Sequence, residues 1–116
     1  VDDILVHGRF EKLAGYFDGD NYIQHNPWFP DNVSGLIKGL TELQEKGITM
    51  KYTQIHKVLG EGNFVLVISE GYLKGVHSAF YDLFRIENGK IAEHWDTIET
   101  IPLKELHKNP NGKFQF

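Results

Sequence analysis

A chain of 116 residues, 41% hydrophobic and 24% charged, has the make-up of one globular domain with a core of its own. A formal charge of −4 and the lack of a basic stripe argue against nucleic acid as a partner. The absence of Cys rules out disulfides and thiolate metal sites, and no apolar run approaches the roughly 20 residues of a membrane helix.

The chain starts at Val1 rather than Met, and a truncated N-terminal helix is expected within a single domain spanning 1–116. No signal peptide is visible, and a cytoplasmic location is expected. Asp2–His7 reads as the last turns of a helix closed by Gly8. Phe10, Leu13 and Phe17 follow at helical spacing and predict a short second helix ending near Gly19. Tyr22–Asn26 reads as a short strand stopped by Pro27. Asp31 or Ser34 can cap the next helix, where Val33, Leu36, Ile37, Leu40 and Leu43 form an apolar stripe that ends at Gly47.

From Ile48 onward the pattern is strand. Met50–Leu59 leads into a turn at Gly60-Glu61-Gly62-Asn63. Phe64–Leu73 follows, with apolar residues on both parities through Ile68, which predicts cover on both faces. Lys74-Gly75 is a turn before Val76–Ile86. Lys90–Ile101 is the last strand, and Pro102 ends the sheet. The tail Lys108–Phe116 is rich in turn residues and holds two Phe expected to be exposed. Helices followed by antiparallel strands indicate an α+β fold, a curved sheet wrapped around helices.

The segment Phe80–Thr97 places Asp82, His94 and Asp96 in a stretch otherwise rich in apolar residues. Strand side chains alternate between faces. Phe80, Asp82, Phe84 and Ile86 therefore share one face of the first arm. Ala92, His94, Asp96 and Ile98 share one face of the second. Their convergence depends on the turn. A two-residue Asn88-Gly89 turn sets Leu83 opposite His94. A three-residue Glu87-Asn88-Gly89 loop sets Asp82 opposite His94 and Phe80 opposite Asp96, with Tyr81 facing Trp95. The longer loop is preferred, because it gives Gly89 the left-handed position and pairs two aromatics.

In that register, Asp82 and Asp96 are candidate acid/base groups. An apolar surrounding raises a carboxyl pKa toward neutrality, and two neighbouring carboxyls split theirs further. The alternative for Asp82 is a salt bridge with Arg85 or a lysine. His94 suits proton transfer because imidazole titrates nearest neutral pH. Asn26 offers a ligand carbonyl both donor and acceptor, although it also suits an Asx turn before proline. His25 has the opposite parity and joins Asn26 only if the strand twists at Pro27. Trp28, Phe29 and Phe80 are candidates for the cavity mouth. His94, Asp96 and His25 together would make an open iron or zinc site, but no HExxH-type spacing supports it, and neither metal nor cofactor is expected. No P-loop, GxGxxG or serine-elbow motif occurs.

YIQHNP at Tyr22–Pro27, Gly35-Leu36 in the helix after it, and DLFRIENGKIAEHWD at Asp82–Asp96 resemble the SnoaL-like branch of the nuclear transport factor two-like superfamily. The similarity runs from about Phe10 to Pro102. More distantly, the hairpin is similar to that of ketosteroid isomerase, where a protonated Asp donates a hydrogen bond. The resemblance implies a cone-shaped α+β fold (cystatin-like) around a deep apolar pocket, with dimerisation through the outer sheet face. In SnoaL-like cyclases the Asp at the position of Asp96 is the acid/base of an aldol ring closure, and the His and pocket Asn match His94 and Asn26. Asp82 matches the isomerase's oxyanion-hole Asp and a His of the cyclases.

The departures are specific. Asn26 stands where the isomerase has its base and cannot take a proton. The isomerase's oxyanion tyrosine sits on a first helix mostly missing here, and Phe80 replaces a polar pocket residue of the cyclases. Steroid isomerisation is not expected. What is expected is cofactor-free cyclase, lyase or isomerase chemistry on an apolar carbonyl compound. Asp96, Asp82 and His94 would be catalytic, with Asn26, His25, Trp28, Phe80, Phe84 and Ile98 around the substrate. The alternative is a non-catalytic ligand-binding or dimerisation module, because fold does not dictate function.

Overall fold

Short turns set the architecture. A computed structural model describes residues 16–17, 21–48 and 50–116. It contains strands β1 (Ile23–Gln24), β2 (Met50–Glu61), β3 (Phe64–Leu73), β4 (Val76–Glu87) and β5 (Lys90–Thr100), and helix α1 (Asn32–Glu45). The helices expected at Asp2–His7 and from Phe10 lie outside the described residues, apart from the end of the second. Two residues separate β3 from β4 and β4 from β5. Lys74 and Gly75 have φ of 52° and 76°, and Asn88 and Gly89 have the same values. Two consecutive positive φ angles define the type I′ turn, whose twist matches that of the flanking strands. The sheet order is β1-β5-β4-β3-β2, antiparallel except for β1, which runs parallel to β5.

Helix α1 starts where the sequence suggests. Asp31 Oδ1 accepts from the Asn32 backbone N–H at 2.8 Å and from the Gln24 N–H at 2.9 Å, so one side chain ties the helix start to β1. Gly47, at φ 69°, ends the helix, with Ile48 N–H donating to the Leu43 carbonyl at 2.9 Å. The apolar stripe lies toward the sheet, except for Ile37, which is exposed. Closest packing falls to Gly39 instead. A Cβ there would sit 2.1 Å from the Phe29 ring, so the segment before α1 lies against the helix itself.

Both faces of β3 are covered, since Val67 and Ile68 are each buried. The tail lies along the outer face. Phe114 stacks on His56 at 4.3 Å, and Lys113 sits 5.8 Å from the Tyr81 ring. Phe114 is thus half-buried, against the expectation of exposure, while Phe116 is exposed. Phe17 and Tyr22 meet edge to face at 4.7 Å and pack with Val33, Leu36 and Ile91 between α1 and the sheet. Among the described residues no helix is long and apolar enough to cross a membrane.

Candidate active site

The β4–β5 turn is not the three-residue loop the sequence favoured. Glu87 pairs with Lys90 and Ile86 with Ile91 around a two-residue Asn88-Gly89 turn. The next pair is Arg85 with Glu93, so Ala92 is an extra residue, a β-bulge. Asn88 and Gly89 both tolerate positive φ, which lets the turn close tightly. The one-residue offset is absorbed inside the strand instead. Beyond the bulge Phe84 faces His94, Asp82 faces Asp96, and Phe80 faces Ile98. Asp82, His94 and Asp96 therefore share the inner face by a different register. Asp82 is opposite Asp96 rather than His94, and Trp95 is opposite Leu83 rather than Tyr81.

A chain of hydrogen bonds connects this face to β1. Asp82 is only 1% exposed. Its Oδ2 accepts from the Tyr52 hydroxyl at 2.8 Å, and its Oδ1 lies 2.8 Å from His94 Nε2. His94 Nδ1 lies 2.9 Å from Gln24 Oε1. The same Oε1 accepts from the Asn26 backbone N–H at 3.1 Å. A backbone N–H can only donate, so this contact identifies the Gln24 oxygen and places its amide nitrogen on the other side, donating to the Tyr22 hydroxyl at 2.9 Å. His94 Nδ1 must then carry a proton. Arg85, the alternative partner considered for Asp82, is bound to Glu93 and Glu87 on the outer face.

Asp96 differs from Asp82. Its Oδ2 accepts from Asn26 Nδ2 at 3.0 Å, and among the described residues its Oδ1 has no partner. Burial holds its carboxyl above the usual carboxylate range. The Asn26 amide and His94 offset part of that rise, and neighbouring Asp82 adds to it. Asn26 is buried and doubly used, with Oδ1 accepting from the Trp28 N–H at 2.9 Å. The Asx turn and the site contact coexist in one side chain.

These groups line a cavity of about 700 Å³ whose remaining wall is mostly apolar, from Leu36, Leu40 and Leu43 of α1 to Met50, Phe84 and Ile98 of the sheet. Trp28 also borders it and is 88% exposed, at the edge. Two expected lining residues lie elsewhere. His25 is on the outer face, opposite to Asn26, stacked on Trp95 at 4.6 Å and paired with Glu93. Phe80 is fully buried, stacked on Tyr52 at 4.1 Å in the packed interior rather than at the mouth. The triad of His94, Asp96 and His25 weighed as a metal site is therefore not assembled. Asp82, His94 and Asp96 do offer ligand atoms within 4.8 Å of one another, but both His94 nitrogens already face protein oxygens.

Tyr22, Gln24 and Tyr52 were not singled out from the sequence. A signal for the first two was present, because Tyr22, Gln24 and Asn26 alternate along one segment and so share a face. Tyr52 had none, because it reaches Asp82 across an intervening strand.

No family model matches the chain, and no curated protein matches it. Solved structures do. A protein with a cystatin-like fold from Xanthomonas campestris is 23% identical over 82% of this chain and 81% of its own, with a TM-score of 0.65. An NTF2-like protein from Cytophaga hutchinsonii is 21% identical over 83% and 80%, at 0.62. A SnoaL-like polyketide cyclase from Agrobacterium tumefaciens is 13% identical over 84% of each chain, also at 0.62. At these identities the likeness establishes the fold: a cystatin-like, nuclear transport factor two-like α+β cone, shared with SnoaL-like proteins.

Proposed function

We propose that this protein is a cofactor-free acid/base enzyme that moves a proton at the carbon next to the carbonyl of an apolar compound. The observation that carries the reading is Asp96. One carboxylate oxygen is fixed by Asn26, the other is unpartnered among the described residues, and the group lies in an apolar cavity that raises its pKa. A raised pKa makes such a carboxylate a stronger base than an exposed one, and its spare oxygen is free to take a proton.

In the proposed step Asp96 Oδ1 takes the α-proton. The C–H electron pair becomes the new C=C bond, and the carbonyl π pair moves to oxygen, giving an enolate. Protonated Asp96 then returns the proton at another atom (isomerase), or protonates the alkoxide formed when the enolate carbon attacks a second carbonyl of the same molecule (aldol cyclase). Run in reverse, the aldol step is a lyase reaction. His94 and Asp82 do not touch the substrate in this scheme, because their polar atoms are already bonded to the protein. They hold Gln24 and the site in place. A SnoaL-like polyketide cyclase among the structural neighbours is in keeping with the aldol variant.

A second reading is a non-catalytic binding module, in which both Asp82 and Asp96 would be tied up inside the protein; Asp82 is so bonded and Asp96 only in part. The cavity and the spare Asp96 oxygen weigh for the enzyme. A homodimer through the outer sheet face, where Leu59 and Phe64 are exposed, belongs to either reading. The test is exchange. A panel of apolar cyclic and aryl ketones is incubated with the protein in D₂O and followed by proton NMR. Loss of α-proton signal that vanishes in Asp96→Asn supports the enzyme. Ketones that bind without exchange support the module.

A further inference from the structure

We infer that Tyr22 is a catalytic residue, the hydrogen-bond donor that holds the substrate oxygen as it becomes an enolate, with Gln24 as its positioning residue. This rests on the acid/base role of Asp96 proposed above. An enolate in a dry pocket needs donors aimed at its oxygen, because the negative charge that Asp96 loses on taking the proton comes to rest there. The sequence suggested Asp82 and Asn26 for this task. Asp82 is not available, since both of its oxygens are bonded to Tyr52 and His94. Neither is His94, whose two nitrogens face Asp82 and Gln24. Asn26 spends one amide hydrogen on Asp96 and keeps one.

Tyr22 supplies what is missing. Its side chain lines the cavity, although the residue is only 2% exposed. Its oxygen accepts from Gln24 Nε2, and among the described residues its own proton has no acceptor. The Gln24 amide cannot accept through that nitrogen, so the Tyr22 O–H must point away from it. Gln24 cannot flip to change this, because its oxygen is held by the Asn26 N–H and by His94 Nδ1. Burial, with Asp96 and Asp82 nearby, holds the Tyr22 phenol well above the usual tyrosine range, so the hydroxyl keeps its proton at any physiological pH. Tyr22 and Asn26 lie four residues apart with the same parity, Asn26 bonds Asp96, and all three line the one cavity. No proton leaves Tyr22 during the step. It donates a hydrogen bond that strengthens as charge develops.

The probe is 2-naphthol, whose oxygen on an sp² carbon mimics an enol, compared with naphthalene, which has none. Calorimetric titration of the wild-type chain should show a preference for 2-naphthol. In Tyr22→Phe that preference should fall about tenfold, the size of one good hydrogen bond in a dry site, with naphthalene affinity unchanged. Replacement of Tyr22 by 3-fluorotyrosine keeps the shape and makes a stronger donor, so 2-naphthol should bind more tightly. On a ketone that exchanges, Tyr22→Phe should lower kcat about 100-fold with little change in KM. Equal affinity for the two probes in wild type overturns the assignment, as does an unaltered preference in both Tyr22 variants. Exchange that survives Asp96→Asn removes Asp96 as the base, yet the two-probe comparison still decides whether Tyr22 is the donor.

Discussion

The two faces of the sheet use the same chemical pair to different ends. On the inner face His94 meets Asp82 at 2.8 Å, with both side chains nearly sealed from solvent. On the outer face His25 meets Glu93 and His77 meets Glu70, each at 2.5 Å, but both histidines are well exposed. Two unit charges about 4 Å apart attract by about 1 kcal/mol in water and about 4 kcal/mol at an effective dielectric near 20. Geometry alone ranks the outer pairs higher. The environment reverses the order, because water screens the outer pairs and can replace either partner, whereas the buried pair is shut off from water.

The largest contrast is expected at Asp96. Asp96→Asn should suppress α-proton exchange by at least about 100-fold, the scale of a lost general base. It should also stabilise the fold near neutral pH. The raised pKa of Asp96 means that its stability contribution is full below the ordinary carboxylate pKa and is lost as pH rises through the folded value. Asn has no such loss, so urea melts should show the variant gaining on wild type as pH rises. A constant difference across pH would contradict the buried carboxylate.

Asp82→Ala comes next. It strands His94 in the interior and removes the Tyr52 acceptor, for a loss of about 3–5 kcal/mol in urea unfolding. Tyr52→Phe deletes one buried donor to Asp82, with an expected loss of about 1–3 kcal/mol. The outer counterpart, Glu70→Gln, should change stability by no more than about 1 kcal/mol. His56 and then His77 hold Glu70 below the usual range, so its contribution is present above the ordinary carboxylate pKa and lost as pH falls. The Glu70→Gln difference should therefore vanish in acid. Parity between Asp82→Ala and Glu70→Gln would break the comparison of the faces.

The smallest effect concerns Ser69, whose buried hydroxyl has no partner among the described residues. Ser69→Ala should be neutral or stabilising by about 1 kcal/mol, read by thermal melts.

Much of this fold is legible in local chemistry. The Lys74-Gly75 and Asn88-Gly89 turns, the Asp31 cap and the Gly47 stop act over a few residues and need no distant partner. The site is legible only in outline. Alternation along the strands identifies Asp82, His94 and Asp96 as members of two faces, and Tyr22, Gln24 and Asn26 as members of a third. The bulge at Ala92 is invisible in the sequence, because either turn is locally acceptable and only cross-strand packing chooses between them. His25 keeps the outer side that its parity gives it, whereas Phe80 has the inner parity but is packed away from the cavity. Alternation states which side of a strand a residue occupies, not what occupies that side.

Composition and patterning thus determined an α+β chain, its hairpins, and the acidic and imidazole groups placed among apolar residues. The tertiary structure decided which of those groups is spare. Asp82 and His94 are consumed by Tyr52 and Gln24, which reach them from other strands, and Asp96 retains an oxygen for the cavity. Hydrogen-bond capacity belongs to each residue, but whether it is spent depends on partners 30 and 70 positions away in the chain.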